Sequence, residues 1–115
     1  MTDPALLVGL GGVAGALARH LLGERIEEGT FDTLAVNVLG SFLLGFLVSA
    51  PVGADLLLVA GTGFCGAFTT FSTFAYETVR LVEGGYGRRA ALNATTNLVG
   101  ALAAVGFGAI AAGLV

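Results

Sequence analysis

Apolar residues fill this chain in four long blocks, over about residues 4–22, 33–50, 56–76 and 90–114, and the third helix is expected to span about 56–82. Charged side chains keep to the breaks: Asp3, the stretch from Glu24 to Asp32, Asp55, and the stretch from Glu77 to Arg89. Arg19 and His20, which end the first block, are the exceptions. A helix needs about 20 residues to cross roughly 30 Å of hydrocarbon, and each block approaches or exceeds that length. The pattern predicts an all-α integral membrane protein of four transmembrane helices. The first block has no basic stretch before it and three similar blocks after it, so it reads as a retained helix rather than a signal peptide.

Composition agrees. Of 115 residues, 56% are hydrophobic and 11% charged, against roughly 25% charged in a soluble domain. The connections, over residues 23–32, 50–55 and 83–88, are short enough to predict that each helix packs antiparallel beside its neighbour. Residues 1–115 then form a single transmembrane unit with no appended domain. Glu24, Glu27, Glu28 and Asp32 read as a solvated acidic loop. The single cysteine, Cys65, excludes an intrachain disulfide and suits a small apolar packing position. There is no metal-spaced His/Cys cluster, no basic patch for nucleic acid and no nucleotide-binding glycine pattern, and nothing marks an enzyme. Nineteen glycines are many for this length. Pairs such as Gly11/Gly15 and Gly100/Ala104 stand at the small-residue spacing that lets membrane helices approach closely. Four short helices bury little on their own, which predicts a tight oligomer. Arg19, Arg25, Arg80, Arg88 and Arg89 gather at the first and third connections, and the other side has no Lys or Arg. The positive-inside rule places that side in the cytoplasm and both termini outside.

Polar residues inside the blocks are the candidate chemistry. Asn37, Ser41 and Gly45 recur at i, i+4 and i+8 and share one face of the second helix. Asn93, Thr96, Asn97 and Gly100 make a similar stripe on the fourth. Either stripe serves as interhelical glue or faces a neutral polar path. The third block is the most informative. Gly61, Gly63 and Gly66 weaken a helix, and Thr69, Thr70, Ser72 and Thr73 can bond back to its carbonyls and bend it. A break there frees carbonyls that suit small cations and amide ends that attract anions. Phe71 and Phe74, three apart, face the same way, and aromatic ring edges are electropositive. Arg19 and Glu77 are the ionisable groups nearest the apolar zone. They either snorkel to the interface or serve a vestibule.

Four segments carry a resemblance that covers almost the whole chain. They are Gly11 to Arg19, Thr33 to Phe42, Gly63 to Phe74 (GFCGAFTTFSTF) and Leu92 to Gly100. In this order, on four spans, they resemble the Fluc/CrcB fluoride channels. The resemblance implies antiparallel, dual-topology dimers of four-helix subunits with a broken third helix, and two fluoride pores along the subunit interface. It places Asn37, Ser41, Phe71 and Phe74 at the pore, with Thr70, Ser72 and Thr73 in the same signature. Asn93, Thr96 and Asn97 would continue a polar track on the fourth helix, where Asn93 has two possible facings. Arg19 and Glu77 match vestibule positions. The break would hold a structural sodium through backbone carbonyls of Gly66 and Thr69 from both subunits. The implied function is passive fluoride export across the cell membrane, which lowers cytoplasmic fluoride.

The arginine bias sits awkwardly with an antiparallel homodimer, whose subunits insert both ways. Either insertion is dual despite the bias, or the subunit forms a heterodimer with an inverted homologue. A small four-helix multidrug exporter has the same plan but needs a carboxylate within the membrane and an aromatic drug pocket. The first block has no acid between Asp3 and Glu24, and the chain has no tryptophan. A non-transporting membrane scaffold would use the glycines but not the hydroxylated third block.

Overall fold

The computed structural model describes residues 3–25 and 29–115, and the described residues are helical with short connections. Helix α1 spans Pro4–Arg25 and α2 spans Gly29–Ser49. The third crossing has two parts: α3, residues 54–68, and α4, Ser72–Glu83. Helix α5 spans Gly87–Ala112. Four segments are long and apolar enough to cross a membrane: Pro4–Arg25, Thr30–Ser49, Ala54–Glu83 and Gly87–Ala112. The chain is a multi-pass membrane protein. Three of its helices overrun the apolar blocks: α1 runs on to Arg25, α2 starts at Gly29 and α5 starts at Gly87. Of the acidic stretch, Glu24 stands on α1 and Asp32 in the first turn of α2. Glu27 and Glu28 lie outside the described residues.

The predicted neighbour-by-neighbour packing needs correction at the first pair. Helix α1 packs mainly on α3 and touches α2 little, while α2 packs along much of α5. Glycine chemistry explains the pairing. A methyl on Gly11 would collide with the Val59 carbonyl, and one on Gly15 with the Phe64 carbonyl, so α1 lies backbone to backbone on α3. From the other side, Gly63 meets Val8 and Gly11 of α1. Gly45 likewise sits against Val105, and Gly108 against Phe42, which seats α5 on α2. Hydrocarbon offers no hydrophobic drive between helices, so close backbone approach supplies the association.

The outer faces are oily. Leu6, Leu10, Val13, Leu17 and Leu21 recur every three or four residues along α1, and all are exposed. Such a stripe fits acyl chains.

The break also falls slightly beyond the glycines expected to cause it. Gly61 and Gly63 lie inside a stretch, Leu57–Cys65, wound as a π-helix with i→i+5 bonding. Its end is marked by the Gly66 N–H donating to the Gly61 carbonyl. An ordinary helical turn follows over Gly66–Phe68, and the chain then extends at Thr69, with φ −83° and ψ 165°. Helix returns at Ser72. Gly61 and Gly63 are packing positions, and the hydroxyl residues mark the break.

Candidate functional site

Interrupting a helix leaves carbonyls without donors before the gap and N–H groups without acceptors after it. Near mid-membrane these must be satisfied by protein. Part of the repair is local. The Thr69 N–H donates to the Cys65 carbonyl at 3.0 Å, and the Thr69 hydroxyl donates to the same oxygen at 2.9 Å. The Thr70 hydroxyl accepts the Thr73 N–H at 3.1 Å, capping the new helix.

Asn37 supplies the rest from α2. Its Oδ1 accepts the Thr70 N–H at 2.8 Å and its Nδ2 donates to the Thr70 carbonyl at 3.1 Å. One amide side chain thus replaces both helical partners that Thr70 has lost. The second Nδ2 hydrogen goes to Oδ1 of Asn97 on α5, at 3.1 Å. Gly40, one turn further along α2, allows the approach, because a Cβ there would run into the Thr69 methyl.

On one side the break opens into a cavity of about 580 Å³. Asn37, Ser41, Gly66, Thr69, Thr70, Phe71, Phe74 and Asn97 border it, together with Thr62, Cys65 and Leu98. Among the described residues no carboxylate, amine or guanidinium lines it. Phe71 and Phe74 stand with ring centroids 5.9 Å apart and planes at 52°. Phe71 is 78% exposed, a large apolar ring left uncovered beside the cavity. Cys65 is buried at the cavity wall.

Other expected residues fall elsewhere. Ser72 and Thr73 stand on α4 outside the cavity lining, and the Thr73 hydroxyl accepts from Nη2 of Arg19 at 2.8 Å. Arg19 borders a separate polar pocket of about 400 Å³ with His20, Glu24 and Asp32. Glu77 is half-buried, and its Oε1 has no hydrogen-bond partner among the described residues. The fourth-helix stripe divides. Asn97 meets the cavity, whereas Asn93 and Thr96 line a crevice between α2, α4 and α5. Asn93 faces inward, with its Nδ2 on the Thr78 hydroxyl at 3.0 Å. Sequence reasoning passed over Thr78 and Thr62. Thr78 stands four residues after Phe74 and donates to its carbonyl at 2.8 Å. Thr62 is one turn before Gly66, and that spacing was its signal.

The expected sodium ligands can be tested on bonding. No hydrogen bond among the described residues ends on the carbonyls of Gly66, Ala67, Phe68 or Thr69. The Gly66 oxygen would ordinarily receive the Thr70 N–H, which Asn37 has taken. Space around Gly66 is open, since a Cβ there would meet nothing within 4 Å. Neutral carbonyl oxygens with no donor are the hard ligands a small cation needs. The chemistry of these carbonyls is compatible with a sodium ion.

Comparison with known proteins agrees with this architecture. Residues 6–109 match the family described as CrcB-like protein, Camphor Resistance (CrcB). A protein of Haloarcula marismortui named fluoride-specific ion channel FluC 2 is 54% identical, over 90% of this chain and 89% of its own length. One of Methanocaldococcus jannaschii named fluoride-specific ion channel FluC is 47% identical, over 97% and 96%. Another of Moorella thermoacetica, named FluC 2, is 48% identical, over 94% and 95%. With most of both chains aligned at such identity, and the broken third crossing in place, this chain belongs to the CrcB family.

Proposed function

We propose that the chain is a subunit of a passive fluoride channel, acting as a pore rather than an enzyme. The observation that carries this reading is the Phe71–Phe74 pair, with Phe71 exposed and Phe74 half-buried, beside a cavity whose described lining carries no charge, in a chain whose relatives are named fluoride-specific channels. Fluoride is small and strongly hydrated, so a pore must replace its water shell with several weak donors from which the ion can depart. Ring edges of Phe71 and Phe74 and the hydroxyls of Ser41 and Thr70 are donors of that kind. A guanidinium at the same place would hold the ion too firmly. Arg19, hydrogen-bonded to Thr73 outside the cavity, and Glu77 belong to the approach and act on entry.

The cavity is open on one side, and a second subunit is the partner that closes it. An antiparallel copy would also complete the cation half-site. Gly66 and Thr69 would hold a structural sodium through their carbonyls, a bound charge that locks two broken helices together. The arginine asymmetry favours a second arrangement, in which the partner is an inverted homologue. Several relatives carry the numerals 1 or 2 in their names.

Fluoride efflux from liposomes containing the purified protein is the test. Release that exceeds protein-free vesicles and is not matched by chloride supports the reading. Fluoride that stays trapped until an ionophore is added removes it for this chain alone. Co-reconstitution with a homologue then tests the paired arrangement.

A further inference from the structure

Three asparagines and one threonine form a chain of hydrogen bonds with a fixed direction. Asn37 donates to Asn97 Oδ1. Asn97 donates through Nδ2 to both Oδ1 and the backbone carbonyl of Asn93, at 3.2 and 3.0 Å. Asn93 donates to the Thr78 hydroxyl, and Thr78 to the Phe74 carbonyl. The two ends of an amide are hard to tell apart by shape, but backbone groups set each orientation here. The Thr70 N–H and carbonyl admit Asn37 in one sense. The Asn93 carbonyl, which only accepts, fixes Asn97. The Phe74 carbonyl takes the Thr78 proton, leaving the Thr78 oxygen to accept from Asn93. All the donors therefore run one way, from the break through α2 and α5 to α4.

We infer that Asn93, Asn97 and Thr78 are positioning residues for the Phe71–Phe74 pair and do not themselves touch the ion. The ladder grips α4 at two points, the Thr70 peptide just before it and the Phe74 carbonyl within it. Both aromatic rings hang between those points. Asn93 and Asn97 are buried, at 9% and 5% exposure. Both hydrogens of Asn37 are already taken, and Asn97 spends its donors on Asn93. The amides thus have little left to offer an anion without dismantling the grip. A buried polar group stripped of its partner is costly, so one broken rung would disturb its neighbours and let α4 shift. The inference rests on the fluoride reading for its transport consequence but not for its geometry.

Thr78 gives the sharpest test, because Thr78→Val keeps its shape and loses the hydroxyl, while Thr78→Ser keeps the hydroxyl. A single para-fluorophenylalanine at position 74 reports ring environment by ¹⁹F NMR in purified protein. Fluoride efflux and fluoride-over-chloride preference are measured on the same variants in liposomes. Thr78→Val and Asn97→Asp are expected to move the ring signal and slow fluoride at least about fivefold, the scale of one unmet buried polar group. Thr78→Ser should stay within about twofold of native, as its retained donor implies. Slowed efflux with an unmoved ring signal overturns the inference, as does a moved signal with native efflux and preference. Native behaviour in both variants overturns it outright. If the unsubstituted protein releases no fluoride, the transport reading fails, and the ring signal still decides whether the ladder positions Phe74.

Discussion

At Asn37 a side chain does the work of a main chain. Its amide takes the place of both backbone partners that the Thr70 peptide loses at the break. Asn37→Ala is expected to destabilise the protein by about 1–3 kcal/mol, because two part-buried backbone polar groups lose their partner. Fluoride efflux should slow as well, and amide exchange at Thr70 should rise. Slow exchange at Thr70 in that variant would show that another group holds the peptide. Phe71→Ile keeps apolar bulk but removes the electropositive ring edge. It should slow fluoride in the efflux assay while leaving the oligomer intact by size-exclusion chromatography. Sequence spacing singled out Asn37 and the two phenylalanines. It could not show what Asn37 bonds to, since Thr70 lies 33 positions along the chain. Nor could it separate Asn97 at the cavity from Asn93 behind it, because i and i+4 positions on a helix share a face.

The elements were largely legible, and the deviations from the expected pattern have local causes. Four apolar blocks announced four crossings. Hydropathy does not register amphipathic ends, so the helix starts at Gly29 and Gly87 fell outside the blocks. The break was legible as a cluster of Gly, Thr and Ser, but not its position. Glycine weakens an isolated helix, yet Gly63 is held against Val8 and Gly11, where nothing larger fits. That contrast predicts a pattern of tolerance. Gly11→Val and Gly63→Val put side-chain atoms into a facing backbone and should cost about 1–3 kcal/mol or more. Gly9→Ala and Gly106→Ala enter open space and should be neutral or stabilising by up to about 1 kcal/mol. Thermal denaturation followed by soluble monodisperse protein would rank the four variants. Equal midpoints for Gly11→Val and Gly9→Ala would contradict the packing described for α1 and α3.

For the whole molecule, the proposed dimer and its cation make separable predictions. Fluorescent reporters fused to the C-terminus should appear on both sides of the membrane if one chain builds an antiparallel pair, and on one side if an inverted homologue is required. Replacing sodium by a large organic cation should lower the thermal stability of the pair and leave the helix content of each subunit unchanged. An unaltered melting temperature across that exchange would take the cation out of the interface. Neither the proposed partner nor the proposed ion was readable from helix periodicity, because both are argued from groups that a single subunit leaves unsatisfied.

The partnering of α1 with α3 also bears on how the chain is built. Its first two helices emerge first, yet they have little surface for each other. Synthesis therefore delivers two spans that wait in the bilayer without a mate until the third arrives. A chain stopped after residue 53 should leave them as independent, protease-accessible segments, and a chain carried through Phe68 should be the first to hold α1 in place. Assembly order is set here by where the glycines face, not by the order of the loops.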